Sequence, residues 1–157
     1  MAPPAGWRHF FILLLMEIKS PQTDTEWKAY YALRFNVLRE PWNQPLGSEV
    51  LVDEDQAIHA IAVEDGEVLG VARMHESAAN QGQVRCVAIA TAAQGKGIGK
   101  AIMAYVEEKA RLKGWSEIVL EARENAVPFY QAIVYAIVAE SYLLFGKIQH
   151  YRMKKNL

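Results

Sequence analysis

One cysteine, Cys86, stands in 157 residues. That excludes an internal disulfide framework and suits a reducing compartment, which points to the cytoplasm. No group of Cys and His has zinc-ligand spacing, so no metal is expected. Neither sign of charge is in excess: 17 basic residues face 18 acidic ones, for a net −1. Such a balance argues against a protein that holds nucleic acid by bulk charge. Long apolar runs are scarce as well. The run FFILLLM at Phe10–Met16 falls far short of the ~20 residues that cross a bilayer. Arg8 and His9 before it give a weak imitation of a signal peptide, but Glu17 and Lys19 come next with no small-residue cleavage pattern. The run either extends a first strand or belongs to an N-terminal extension over residues 1–15 ahead of a single domain, 16–157, and no membrane or nucleic-acid partner is expected.

What is present suits a packed core: 52% of residues are apolar and 22% charged. Between Thr23 and Arg39, Trp27, Tyr30, Tyr31, Phe35 and Leu38 recur at helical spacing, and Pro41 and Pro45 end the pattern. Two short apolar runs, Ala57 to Val63 and Glu67 to His75, meet at Asp65-Gly66, which predicts a hairpin. Gln81-Gly82 predicts another turn before a strand over Val84 to Ala90. A helix is predicted from Gly97 to Lys113, stopped at Gly114. A strand over Ile118 to Ala122, a helix over Asn125 to Ile133 and strands over Tyr135 to Tyr142 and Ile148 to Lys154 complete the order β-α-β-β-β-α-β-α-β-β. Strands joined by hairpins predict an α/β chain with a mixed sheet rather than a wholly parallel one.

The segment Gln94-Gly95-Lys96-Gly97-Ile98-Gly99-Lys100 sits between a strand and a helix. Glycines let a backbone turn tightly and approach a ligand, and the first N–H groups of a helix lack internal acceptors at the positive end of its dipole. Phosphate or pyrophosphate is the natural ligand, with Lys96 and Lys100 adding charge at the rim. A Walker loop fails twice, at Gln94 for its first glycine and at Ala101 for its magnesium-binding hydroxyl. A dinucleotide fingerprint fails at Lys100 or Ile102, depending on where it starts. The pattern Gln/Arg-x-x-Gly-x-Gly/Ala is met in full by Gln94, Gly97 and Gly99. A glycine loop that serves turn geometry alone is the plain alternative.

That third pattern is a mark of the GNAT superfamily of acetyl-coenzyme A-dependent N-acyltransferases, and from about residue 16 onward the chain resembles its small stand-alone members. "YYALRFNVLREPW" resembles the first helix, which borders the acceptor site, and "EDGEVLGVARMH" the central hairpin. "RCVAIATAAQGKGIG" resembles the strand and loop that take coenzyme A. "EARENAVPFYQ" resembles the segment that flanks the cofactor, and "KIQHYRMKK" the closing strand, with Ile148-Gln149-His150 where a subgroup has Ile-Pro-His. The resemblance implies an α+β fold with a mixed, mostly antiparallel sheet flanked by helices. It implies acetyl-coenzyme A as co-substrate and transfer of its acetyl group to a primary amine by direct attack in a ternary complex. The acceptor would be a small molecule or a peptide, and the assembly a homodimer.

The same resemblance implies roles for single residues. Val87, Ala88 and Ile89 would lie along the pantetheine arm, with Gln94 to Lys100 on the pyrophosphate and Asn125 and Phe129 flanking the cofactor. Tyr130 would give a proton to the departing thiolate. Family members often carry a glutamate on the strand into the loop, but Arg85 to Ala90 contains no acid. His75, Glu76 and Glu121 are candidates for the general base instead, and Arg73 and Arg85 for holding an acidic group of the acceptor. An acyl-coenzyme A sensor without turnover is the alternative from another class. Two departures stand out. Thr91-Ala92-Ala93 replaces larger residues, and Val134 stands where a glycine with positive φ usually ends the helix, so that turn is expected to be rebuilt.

Overall fold

The computed structural model describes residues 16–157; the extension expected over 1–15 lies outside them. The elements are β1 (Glu17–Lys19), α1 (Asp24–Leu38), β2 (Ile58–Glu64), β3 (Glu67–Ala78), β4 (Gln81–Ile89), α2 (Ile98–Leu112), β5 (Glu117–Arg123), α3 (Val127–Ala132), β6 (Ala136–Leu144) and β7 (Ile148–Asn156). The strands take the order β1-β2-β3-β4-β5-β7-β6 in a seven-stranded sheet. β1 with β2, β5 with β7 and β6 with β7 run antiparallel, and β4 with β5 runs parallel. This is the mixed, mostly antiparallel sheet that the resemblance implies. By contact density the chain falls into two units: one ends at Arg73 and resumes over Cys86–Val106, and the other comprises Met74–Arg85 and Glu107–Leu157.

In the first unit, Thr23 caps α1 with a complete capping box. Its hydroxyl accepts from Glu26 N at 3.1 Å, and the Glu26 carboxylate accepts from Thr23 N. This satisfies two of the amides that a helix start leaves unpaired. Lys19 on β1 adds an ion pair to Glu26 at 2.6 Å. α1 then lays Tyr30 into a core with Ile61, Val71 and Ala88, and Trp27, Tyr31, Leu33, Val37 and Leu38 pack around it. Asp65 (φ 49°) and Gly66 (φ 77°) join β2 to β3 with two left-handed residues, the favoured hairpin geometry.

In the second unit two expectations change. The turn before β4 lies at Ala79-Asn80, with Asn80 at φ 60°, while Gly82 is a strand residue. Gly82 is needed there for room: a Cβ on it would stand 2.7 Å from the Trp115 ring. The turn after α3 is not rebuilt either. Val134 itself takes φ 75°, and the closing bonds form, from Val134 N to Gln131 O at 3.1 Å and from Tyr135 N to Tyr130 O at 3.0 Å. The neighbouring Tyr135 holds this geometry in place. It is buried, and its hydroxyl donates to Glu107 at 3.0 Å on the last turns of α2.

Val134 is 74% exposed, so its side chain gains little in return for a strained backbone. Val134→Gly is expected to stabilise the protein by about 1 kcal/mol, the scale of the left-handed penalty for an L-residue. Thermal unfolding should then shift upward by roughly 2–4 °C for a chain of this size. An unchanged or lower midpoint would show that the turn is not strained.

Candidate active site

The glycine segment lies wholly in the first unit. β4 reaches it through Cys86, which takes φ 56° inside the strand and bends it just before Val87, Ala88 and Ile89. Ala90 N donates to Leu69 O at 2.8 Å, and a short 3-10 turn comes next at Thr91–Ala93. Gln94 turns its side-chain amide back to Ile89 O at 3.3 Å, tying the loop to the strand end. Gly95 and Gly97 stand at φ 77° and 82°, and a Cβ on either would meet nothing within 4 Å. Lys96 and Lys100 are exposed, and Ile98 is buried as the anchor of α2.

The helix bond from Ala101 N to Gly97 O, at 3.1 Å, is the first of α2. The N–H groups of Ile98, Gly99 and Lys100 therefore have no acceptor within the helix. No acidic residue stands in that first turn to serve them. The arrangement is an anion cradle with open space on its outer side, and it fits the pyrophosphate of coenzyme A.

The second unit holds the other expected site residues. Asn125 is exposed in a 3-10 turn at Glu124–Ala126, and Phe129 and Tyr130 lie on α3 with ring centroids 5.0 Å apart. Tyr130 is buried, and burial pushes its phenol well above the ordinary tyrosine value, with Arg123 pulling weakly the other way. The hydroxyl stays protonated at any working pH and keeps its proton to give. His75 and Glu76 sit late on β3, the first half-buried and the second exposed, on opposite faces of the strand. The structure thus gathers Val87 to Lys100 in one unit and Asn125, Phe129 and Tyr130 in the other.

Arg73, expected to hold an acceptor's acidic group, is instead committed inside the first unit. It is buried, with Nε 2.5 Å from Glu54 Oε1 and a terminal nitrogen donating to Val52 O at 2.9 Å. Glu54 Oε2 takes Arg34 at 2.6 Å and the Tyr31 hydroxyl at 2.7 Å. Burial alone would raise the Glu54 carboxyl, but the hydrogen bonds from Tyr31, Arg34 and Arg73 outweigh it and hold the group below the usual carboxylate range. Two nitrogens of the buried Arg34, Nε and NH2, lack hydrogen-bond partners, and the guanidinium instead lies 4.7 Å from the centre of the Tyr30 ring. No local signature marks this cluster in the sequence, because Arg73, Arg34 and Tyr31 stand 19, 20 and 23 residues from Glu54.

A search of family models matches residues 20–133 to the acetyltransferase (GNAT) family. The match spans more than half of the chain, and the chain belongs to that family. It is similar to the uncharacterized N-acetyltransferase YjcF of Bacillus subtilis, with 27% identity over 135 residues that cover 86% of this chain and 96% of the relative. Among solved structures it is similar to a Lactobacillus plantarum protein assigned as an N-acetyltransferase, with a TM-score of 0.80, 24% identity and coverage of 90% and 98% of the two chains. It also resembles an aminoglycoside 6'-N-acetyltransferase complexed with coenzyme A, at TM-score 0.77 and 15% identity, covering 89% and 96%. The protein is an acetyl-coenzyme A-dependent acetyltransferase with a GNAT fold.

The Glu54 cluster carries a stability consequence. Glu54→Gln leaves two buried guanidinium groups without a counter-charge, and breaking a buried pair in this way costs about 3 kcal/mol. Urea unfolding should show a lower midpoint with an unchanged slope; a shift of under about 0.5 kcal/mol would mean that the cluster is solvated.

Proposed function

We propose that this acetyltransferase moves the acetyl group of acetyl-coenzyme A to a primary amine of a small molecule or peptide, by direct attack while both substrates are bound. The observation that carries this reading is the start of α2, where unpaired amides, two left-handed glycines and the absence of acid make a seat for pyrophosphate. Bound there, acetyl-coenzyme A supplies the activated acyl group. In this proposal Val87, Ala88 and Ile89 offer backbone groups to the pantetheine arm and the thioester oxygen, which gains charge as the amine attacks. Asn125 and Phe129 flank the cofactor. Tyr130 protonates the leaving thiolate, and a side-chain base takes the proton of the amine, a role for which the sequence offers His75, Glu76 and Glu121. The enzyme is taken to work in the cytoplasm, supported by its single cysteine, and as a homodimer. The dimer is supported by the edge strand β6, where Ile137, Val138 and Leu143 are about half exposed.

Gly97→Val tests the seat. A β-branched residue is strained at φ 82°, and its side chain projects into the open side of the loop. Calorimetry should show coenzyme A binding lost in a chain that still unfolds cooperatively. Unchanged affinity in the folded variant would defeat the placement.

Tyr130→Phe tests the acid. It keeps the ring and its packing and removes only the donor. Turnover is expected to fall about 10²–10⁴-fold, the usual contribution of a general acid, with acetyl-coenzyme A affinity nearly unchanged. If turnover and affinity both stay within about twofold, well inside that range, Tyr130 is not the acid.

A further inference from the structure

Antiparallel pairing sets Glu121 opposite Arg152 and Arg123 opposite His150 on β5 and β7. Opposed residues share a sheet face, and so do residues two apart along one strand. These four side chains therefore form a two-by-two group on one face of the second unit. The other face of the same strands carries Leu120, Ala122 and Met153, and Lys155, which reaches Glu107 on α2 at 3.1 Å. The group of four thus faces away from α2. The parallel pairing of β4 with β5 runs from Gln81↔Glu117 to Val84↔Leu120, and β5 continues beyond it through Glu121 to Arg123.

Within this group His150 has a defined tautomer. Its Nδ1 lies 2.9 Å from Ile148 O on its own strand. A carbonyl oxygen only accepts, so Nδ1 carries the ring proton and Nε2 is the basic nitrogen. The ring is 4% exposed and stacks on Tyr142 with centroids 4.6 Å apart and planes at 19°. Burial, helped by Arg123 and opposed by the Ile148 carbonyl and Glu121, holds the imidazole below the ordinary histidine value. Nearby, Glu121 Oε1 accepts from Arg152 at 2.8 Å, but Glu121 Oε2 is buried with no hydrogen-bond partner. A buried carboxylate oxygen without a donor is costly. An ammonium group would supply that donor.

We infer that His150 is the general base of the acetyl transfer and that Glu121 Oε2 holds the acceptor's ammonium beside it. This rests on the amine acetylation proposed above. His150 Nε2 takes one proton from the ammonium. The nitrogen lone pair so uncovered bonds to the thioester carbon, the carbon–sulfur bond breaks, and the sulfur leaves with its electron pair as the thiolate that Tyr130 protonates; the attacking nitrogen loses its second proton as the amide forms, and that proton passes through water to restore the Tyr130 phenol. The imidazolium then returns its proton to water. The groups that face the ring are Arg123 and Glu121 on β5, Tyr142 on β6 and Arg152 on its own strand. Burial, and Arg123 after it, keep the imidazole neutral and ready to accept.

The test uses His150→Asn, which keeps a donor for Ile148 O, and His150→Gln. Thiol release from acetyl-coenzyme A is monitored with 1,4-diaminobutane, kanamycin and an alanine-led tripeptide between pH 6 and 10. At pH 7 both variants should lose at least about 100-fold in kcat/KM for the amine, with coenzyme A affinity unchanged. The deficit should narrow as pH rises, because more of the amine then arrives already deprotonated, whereas structural damage would give a constant deficit. The parent gives an independent reading even if a variant fails to fold. The acid limb of its kcat/KM should coincide with the titration of the His150 ring observed by NMR. A pH-independent deficit, a loss of under about threefold, or an acid limb about one unit or more from the ring's titration overturns the assignment. A parent that binds coenzyme A but releases no thiol with any of these amines overturns amine acetylation itself, and the base with it.

Discussion

The first amides of an α-helix have no partner inside it, and the chain between β4 and α2 is organised around that shortage. Gly95 and Gly97 take conformations closed to most side chains, so the backbone enters the helix with its N–H groups turned outward. Ile98 is buried and fixes the helix start from below, while Gln94 fixes the loop to the end of β4. A protein indifferent to anions would have put an aspartate or serine at this helix start. Here the first turn has no acid and Lys96 and Lys100 lie at its rim, so the missing partner has to come from outside. In the function proposed for this chain, the lack of an internal cap is what seats the cofactor.

The Glu54 cluster answers a different shortage in the same unit. The stretch between α1 and β2 contains only two short 3-10 turns as regular structure. Its backbone carbonyls are met by side chains: Arg34 on Glu49 O, Arg39 on Ser48 O, Arg73 on Val52 O and His59 on Glu54 O. Arginine suits this work because its fork can serve a carboxylate and a carbonyl at once. That use explains why Arg73 does not wait for an acceptor. Its charge is spent inside the fold, where Glu54 neutralises it.

Local patterns made the element order legible. Helical spacing in α1, the Asp65-Gly66 turn and the loop that opens α2 each lie within a few consecutive residues. The features that escaped depend on residues far apart. Gly82 reads as a turn residue until Trp115 is seen to need its missing side chain. Val134 reads as a broken turn until Tyr135 is seen to be held through Glu107. The same distinction divides the site. The loop proposed to seat the anion is one short segment, so the proposal could be made from the sequence alone. The Glu121 and His150 pair depends on the register of β5 against β7, and no spacing along the chain shows that the two share a face.

Two buried histidines show how far context decides their chemistry. His59 has Nε2 2.6 Å from Glu54 O, so that nitrogen carries the proton, and its other nitrogen accepts from the Tyr30 hydroxyl at 2.6 Å. Both ring nitrogens are occupied, and the ring serves as a strut between α1 and the loop before β2. Burial holds His59 below the ordinary histidine value, as it does His150. A lowered proton affinity therefore does not separate the two. The difference lies in the second nitrogen: His59 spends its lone pair on Tyr30, whereas His150 fixes its proton on its own strand and sits diagonally from a carboxylate oxygen that lacks a donor. A base needs an unspent lone pair next to a place for the cation that it deprotonates. Of these two rings, His150 meets both conditions.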